Sequence, residues 1–517
     1  MLRQCYRCVN KVNIRVTPVN STPKNLTLER NGRLFTTLLL MTIIERTTAQ
    51  SDISKRFEEK KTVFQSLKIE PVSARKARLR KLRTWIKANQ AAFRDAMYRD
   101  FRKPAAEVDT TEILPVLDEI KQALENLDRW AKTKKVDASL TMLGTRSVIM
   151  YEPKGVCLII SPWNYPFNLS AGPLVSALAA GNAVILKPSE MTPNTSTLIS
   201  KMCKEVFTEN EVTVFEGGTE VSQELLKLPF DHIFFTGSPS VGKIVMKAAA
   251  ENLTSVTLEL GGKSPTIVLP SANAKEAAQR IAVTKFINNG QTCIAPDYVF
   301  AHESIAADLI KNLKEEILAR FGGSDGKINT SPDYARIVNE KHFSRLSDLL
   351  RDAESKGATV ETGGQLDFSQ RFFEPVVLSN VSNASRVMEE EIFGPILPIV
   401  TYRSLDEVVQ YINARPKPLA LYIFGRKKSE INRVKKETSS GTVCINDCAI
   451  QFLHPNLPFG GVNTSGIGKS HGYYGFLAFS NEKPVLRQRN GLTAFRFFYP
   501  PYTPGVQRMI GWILKLF

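Results

Sequence analysis

The chain has 517 residues, 43% hydrophobic and 23% charged, a balance that excludes a mostly disordered or fibrous protein. No uninterrupted apolar stretch reaches the roughly 18 residues of a membrane-spanning helix. Seven cysteines, an odd number spread along the chain, fit a reduced compartment better than a disulfide framework. The net charge of +17 sits at the ends: residues 1–50 carry +6, Lys483–Phe517 carry +6, and the 432 residues between carry +5. Nucleic acid is therefore not an expected partner, since a binding groove would charge the folded body.

In chain order, residues 1–52 read as a leader or disordered extension. They are basic and acid-poor, and the apolar run Leu34–Ile44 is too short to span a bilayer. That pattern fits a mitochondrial transit peptide or a secretory signal, or an extension with Met41 as the true initiator. Periodic structure begins near Ile53, with Phe57, Phe64 and Leu67 on one helix face. The stretch Lys134–Tyr151 alternates instead, and predicts a protruding hairpin. From Gly155, apolar runs alternate with helical patterns: Val156–Ile160, a small-residue helix at Ala171–Ala180, Ala183–Lys187, Val212–Phe215 and His232–Phe235. A second set follows Gly262: Thr266–Leu269, a helix over Ala274–Asn289, Tyr298–Ala301, a helix to Arg320, Ile396–Thr401 and Leu421–Phe424. Continuous apolar runs separated by helices indicate parallel strands covered on both faces. The fold class is thus α/β, with two doubly wound parallel-sheet domains joined near Gly261-Gly262. The end of the chain, Phe495–Tyr502 and Val506–Phe517, is apolar, dotted with Trp, Arg and Lys, and free of acids. Such a tail suits an anionic membrane surface, or else a helix packed on the body or on a partner subunit.

The segment Gly237–Lys243 matches the G-x4-GK spacing of a phosphate loop, but Ile244 stands where an NTPase needs Ser or Thr for magnesium. What survives is a glycine turn at a helix N-terminus, which suits an anionic pyrophosphate. The G-x-G at Gly466–Gly468 is a weak dinucleotide fingerprint. No metal site is expected, because Cys5 and Cys8 lie in the leader, Cys444 and Cys448 lack nearby His, and the chain has five His in all. The stronger pair is Val256–Pro265, which ends an apolar strand on Glu259 against two glycines, and Asn288–Cys293, which sets a cysteine after a helix and a glycine turn. A lone buried cysteine is more often a small hydrophobe than a nucleophile.

Together, Leu258–Pro265 and Gly290–Ile294 resemble the signature of the NAD(P)-dependent aldehyde dehydrogenase superfamily. Pro162–Phe167, Ala180–Glu190, Phe235–Ser238 with Val241-Gly242, Glu390–Pro395 and Pro458–Val462 agree in order and spacing. The resemblance runs from about residue 55 to residue 490. Lys187–Glu190, His471–Phe476 and Phe498–Tyr502 look closest to the class 3, fatty-aldehyde branch, whose fungal relatives act on long-chain aldehydes or apocarotenals.

The resemblance implies an aldehyde-dehydrogenase-like fold with a small β oligomerisation flap. It implies a cofactor-binding domain over 53–262 carrying the hairpin, a catalytic domain over 263–445, a return segment over 446–492 and the basic tail 493–517. Cys293 would be the nucleophile, its thiolate kept available by a lowered pKa. Asn164 and the Cys293 N–H would hold the oxyanion, and Glu259 would be the base for thioester hydrolysis. Lys187 and Glu190 would hold the adenosine ribose of NAD, with NADP as the alternative, and Thr236, Gly237, Ser238 and Gly242 the pyrophosphate. Glu391 and Phe393 would meet the nicotinamide ribose and ring. A homodimer acting on apolar aldehydes is expected, in the cytoplasm or on the cytoplasmic side of an intracellular membrane, with the mitochondrion as the reading of the leader. Ser480-Asn481 replaces the family's frequent Ser-His, in a segment read as structural. A CoA-acylating relative and a non-catalytic, membrane-associated binding protein are the two alternatives, and the intact Glu259 weighs against the first.

Overall fold

The computed structural model describes residues 52–139, 142, 144–491, 496 and 498–515, so the leader lies outside the described residues except for its last position. The chain divides after Lys55, and the architecture below is that of Arg56–Phe517.

The first sheet contains β1 (Val156–Ile160), β2 (Ala183–Lys187), β3 (Val212–Val214), β4 (His232–Thr236) and β5 (Ser255–Glu259). They lie parallel in the order β3-β2-β1-β4-β5, so the strand order reverses between β1 and β4. All five residues of β1 and of β2 are buried, which is why both read as unbroken apolar runs. Between them runs the helix Asn168–Ala180, which begins three residues earlier than its small-residue stretch. Its Ser, Ala and Gly content lets the helices Val72–Ala88, Leu114–Trp130 and Gly472–Ala478 pack closely against it.

The second sheet contains β6 (Pro265–Val268), β7 (Tyr298–His302), β8 (Thr359–Thr362), β9 (Val376–Ser379), β10 (Ile396–Tyr402), β11 (Ala420–Phe424) and β12 (Thr442–Ile445). The order is β8-β9-β10-β7-β6-β11-β12, parallel except at β8. Alternate side chains enter opposite cores: Val268, Val299 and Tyr422 join one, Ile267, Phe300 and Ile423 the other, as the two-residue strand period requires. Cys444 lies on the edge strand β12, a strand with no clear sequence signal because only one of its four residues is buried. A short strand β13 (Gly466–Ile467) returns antiparallel to β5 and sets Gly466 opposite Glu259.

The hairpin expected at Lys134–Tyr151 forms from Lys134–Val136 and Thr145–Pro153, and Ser480–Gln488 completes a three-stranded antiparallel sheet. The helix over Ala274–Asn289 stops at Phe286 instead. Asn288 and Asn289 then take left-handed backbone angles, φ +56° and +54°. Asparagine tolerates that conformation better than most residues, so a second polar turn replaces the last helical one. Near the end, the helix Pro504–Leu514 starts on a Thr503 cap and buries none of its residues. No described helix is long and apolar enough to cross a membrane.

Candidate active site

A cavity of about 260 Å³ lies at the carboxyl ends of the first sheet's strands, closed on its other side by residues that precede the strands of the second sheet. The carboxyl end of the first sheet, near its strand-order reversal, is where ligands bind in open α/β sheets. Eight of the eleven sequence-predicted site residues line it: Asn164, Thr236, Gly237, Ser238, Glu259, Cys293, Glu391 and Phe393. Lys187 and Glu190 pair with each other at 2.6 Å at the end of β2 and do not reach this cavity. Gly242 does not line it either; a Cβ there would meet the Leu260 side chain at 2.7 Å, so this glycine lets its helix pack on the wall.

Asn164 belongs to the loop after β1 and Cys293 to the loop after the Asn288-Asn289 turn. Three buried amides join these loops. Asn164 Nδ2 donates to the Gln291 carbonyl at 3.0 Å, and Asn288 Nδ2 donates to the Asn164 carbonyl at 2.8 Å. Gln291 Nε2 donates to Asn288 and Arg336, and Gln291 Oε1 accepts from the Val338 N–H. Tyr165 and Thr292 share a hydroxyl hydrogen bond at 2.7 Å alongside. Beneath lies a buried ion pair, Lys103 Nζ to Glu112 Oε1 at 2.9 Å. Glu112 Oε2 accepts the N–H groups of Phe167 and Asn168, and Lys103 sits 4.0 Å from the Tyr165 ring. Lys103 and Glu112 left no sequence signal, because only the fold brings them beneath the Asn164 loop.

Glu259 ends β5 between Thr236 and Gly466. Its Oε1 accepts the Ser470 hydroxyl at 2.8 Å, while the buried Oε2 has no protein partner. Burial raises its carboxyl to about 7, against the opposing pull of Ser470, His471 and Lys469. Glu391 is also held at about 7, by burial and by Asp297, and its Oε1 is likewise buried without a partner. The loop carrying it is fixed by Arg345, which donates to the carbonyls of Glu391 and Ile392, and by Asp297, which accepts the Ile392 N–H. Lys263 bonds Asp297 at 3.1 Å and the carbonyls of Val387 and Glu390. Trp163 stands edge-on to Phe393, centroids 5.3 Å apart.

The half-buried Cys293 departs from expectation. Burial, then Glu391, then Glu259 push its thiol up to about 12, although the N–H groups of Cys293 and Ile294 favour the thiolate. The ligand-free site therefore holds a protonated thiol near neutral pH. The first cause is burial and the second the two carboxyl groups nearby, neither of which sequence spacing reveals.

On the cofactor side, Ser238 caps the helix Pro239–Ala250 by accepting from Val241, and the Gly237 N–H is held by the Glu259 carbonyl. A glycine turn at a helix N-terminus together with an unpartnered buried carboxylate suits a dinucleotide with an anionic pyrophosphate and ribose hydroxyls. No cluster of metal-ligating side chains occurs among the described residues.

Residues 40–485 match the aldehyde dehydrogenase family, and the chain belongs to that family, on its class 3 and apocarotenal-type side. It is an NAD(P)-dependent aldehyde dehydrogenase. It is 46% identical over 450 residues to 4,4'-diaponeurosporen-aldehyde dehydrogenase of Staphylococcus aureus, covering 87% of this chain and 96% of that one. It is 42% identical over 439 residues to aldehyde dehydrogenase family 3 member A2 of Mus musculus, covering 85% and 89%. The substrate-bound Staphylococcus aureus AldH structure superposes with a TM-score of 0.85 at 45% identity, over 89% of this chain and 99% of that one. A Mycobacterium tuberculosis aldehyde dehydrogenase complexed with NAD+ gives 0.78 at 26% identity, over 86% and 91%.

Gly261 offers a direct check of the cofactor half. A Cβ there would lie 2.3 Å from Glu391 Oε2. If Glu391 holds the nicotinamide ribose, as the resemblance implies, Gly261→Ala is expected to displace that carboxylate and weaken NAD binding by about tenfold, or about 1.4 kcal/mol, measured by NADH fluorescence titration.

Proposed function

We propose that this enzyme oxidises long-chain or otherwise apolar aldehydes, fatty or apocarotenoid, to carboxylic acids through a covalent intermediate on Cys293. The observation that carries the reading is the single cavity shared by Cys293, Asn164 and Glu259, whose substrate side is formed by Leu169, Pro173, Phe452 and Phe459. The Staphylococcus aureus relative's name, an apocarotenoid aldehyde dehydrogenase, supports the substrate class.

In this reading the Cys293 thiol gives its proton to a carboxylate of the cavity, and Sγ attacks the aldehyde carbon. Asn164 Nδ2 keeps one N–H for the developing oxyanion, the other being held by Gln291. Bound NAD(P)+ supplies the hydride acceptor that turns the thiohemiacetal into a thioester. Glu391 and Phe393 would hold its nicotinamide end, Thr236, Gly237, Ser238 and the Gly242 helix the pyrophosphate, and Lys187 with Glu190 the adenosine ribose. Glu259 Oε2 then takes a proton from the water that attacks the thioester. A carboxyl at about 7 is neutral below that pH and a base above it, so hydrolysis slows as pH falls through about 7.

Cys293→Ala is expected to abolish NADH production while NAD still binds; NADH release at the wild-type rate would refute the nucleophile. Glu259→Gln is expected to give one turnover of NADH and then hydrolyse the acyl-enzyme about 10²-fold more slowly, read by quenched-flow.

An apolar funnel stabilises the transition state by up to about 0.8 kcal/mol per buried methylene. A series of straight-chain aldehydes should therefore show kcat/KM rising with length by up to about fourfold per carbon. A flat series would remove the apolar-substrate reading.

The same reading extends to a membrane surface. Trp512 and Leu514 are 65% and 69% exposed on the terminal helix, with Arg508 and Lys515 beside them and no acid on it. Anionic liposomes should retain the full chain at low salt and release it at high salt, whereas a chain lacking residues 493–517 should not bind. Equal binding of the two would sink this part.

A further inference from the structure

His471 lies in the cavity wall but took no part in the chemistry above. Its Nδ1 is 2.7 Å from Glu119 Oε1, on the helix Leu114–Trp130. Glu119 also accepts the Gly472 N–H at 3.0 Å, so the carboxylate grips the ring and the backbone beyond it. Phe452 and Phe459 close on the ring edge-to-face, with centroids at 4.5 and 5.3 Å. The His471 backbone sits at φ +70°, a region that L side chains rarely adopt. A ring held by a carboxylate and two phenyl groups, on strained backbone, is over-determined in position. The preceding residue, Ser470, donates its hydroxyl to Glu259.

We propose that the Glu119–His471 pair is a positioning device for the base: it keeps an imidazolium at the cavity wall that holds Glu259 as the carboxylate during acyl-enzyme hydrolysis. This rests on the reading of Glu259 as that base.

The charged groups around the ring are Glu119 from its helix, Glu259 from the end of β5, and Lys469 on the same loop, whose Nζ is tied to the Gly460 and Gly461 carbonyls. Cys293 and Glu391 share the cavity, and Phe452 and Phe459 add no charge. Burial opposes a charge on His471, but the hydrogen bond and charge of Glu119, with the charge of Glu259, outweigh it and lift the imidazole above its ordinary value. In return, His471 opposes the burial that raises Glu259. Removing the imidazolium should therefore raise the Glu259 carboxyl further. A base works above its pKa, so the acid limb of hydrolysis should move to higher pH.

The test follows single-turnover release of the carboxylate product from about pH 5.5 to about pH 9.5 in wild type, His471→Asn, Glu119→Gln and Glu259→Gln. Asparagine tolerates positive φ, and its Nδ2 can occupy the place of the imidazole Nδ1. Expected is an upward shift of the acid limb by about one pH unit in His471→Asn, equivalent to about tenfold slower hydrolysis on the limb, with the alkaline plateau kept within about threefold. Glu119→Gln, which weakens the imidazolium, should shift the limb in the same direction. Either variant, once folded, with an unmoved limb overturns the proposal, whatever its plateau rate, because a purely structural defect lowers rates without moving the limb. If Glu259→Gln hydrolyses its acyl-enzyme as fast as wild type, the base reading itself fails, an outcome distinct from failure of the pair.

Discussion

Two sheets contribute to one cavity, and the loop after β1 is held against the loop that follows the Asn288-Asn289 turn. Buried amides meet that constraint. Asn164, Asn288 and Gln291 satisfy one another and the nearby backbone across segments more than 120 residues apart in sequence, as in the Asn164–Gln291 bond. Neutral amides carry out this fastening at modest desolvation cost because nearly every donor finds an acceptor. The Lys103–Glu112 pair below is the costlier element. Its Oε2 is fully used by two backbone N–H groups, which makes it a brace for the Asn164 loop more than a source of net stability. A misplacement of about 1 Å in such a loop can cost an enzyme about 10²-fold in rate, so the Lys103–Glu112 brace matters to the site although neither residue lines the cavity.

Above that fastening, the electrostatics of the cavity oppose one another. Burial raises Glu259 and Glu391 to about 7, and burial first, then the two carboxyls, raises Cys293 to about 12. One environment therefore raises the carboxyls and the thiol together. An unliganded cysteine kept protonated is poorly reactive toward oxidants and stray electrophiles. Glu391 influences the thiol more than Glu259 does.

Much of this was legible in the sequence. The buried strands Val156–Ile160 and Ala183–Lys187 announce themselves as apolar runs, and the glycines beside Glu259 and before Cys293 mark close backbone approach. What stayed hidden depends on distance in space. The strand β12, which carries Cys444, gives no apolar run because it is an edge with one buried residue in four. The helix ending at Phe286 looked longer because Asn288 and Asn289 differ from helical residues only in backbone angle. The elevated Cys293 pKa could not be anticipated, since the carboxylate that matters most lies 98 residues later, at Glu391. Glu119 carries no local signal at all; only the fold brings it to His471.

Backbone strain follows the same geography. Among the described residues, eleven non-glycine positions have positive φ, and four of them surround the reaction: Asn288, Asn289, Phe393 and His471. Each such residue costs about 1–3 kcal/mol unless asparagine eases it, and survives only where neighbours fix it. The neighbours differ in each case. Gln291 and Asn164 fix Asn288, Tyr334 and the Ala335 carbonyl fix Asn289, Trp163 backs Phe393, and Glu119 grips His471. Strain released at any of these points would let a loop relax away from the cavity. The polar contacts behind them therefore keep the wall in a conformation that the chain would not choose locally, and the rigidity of the site comes from outside the loops that form it.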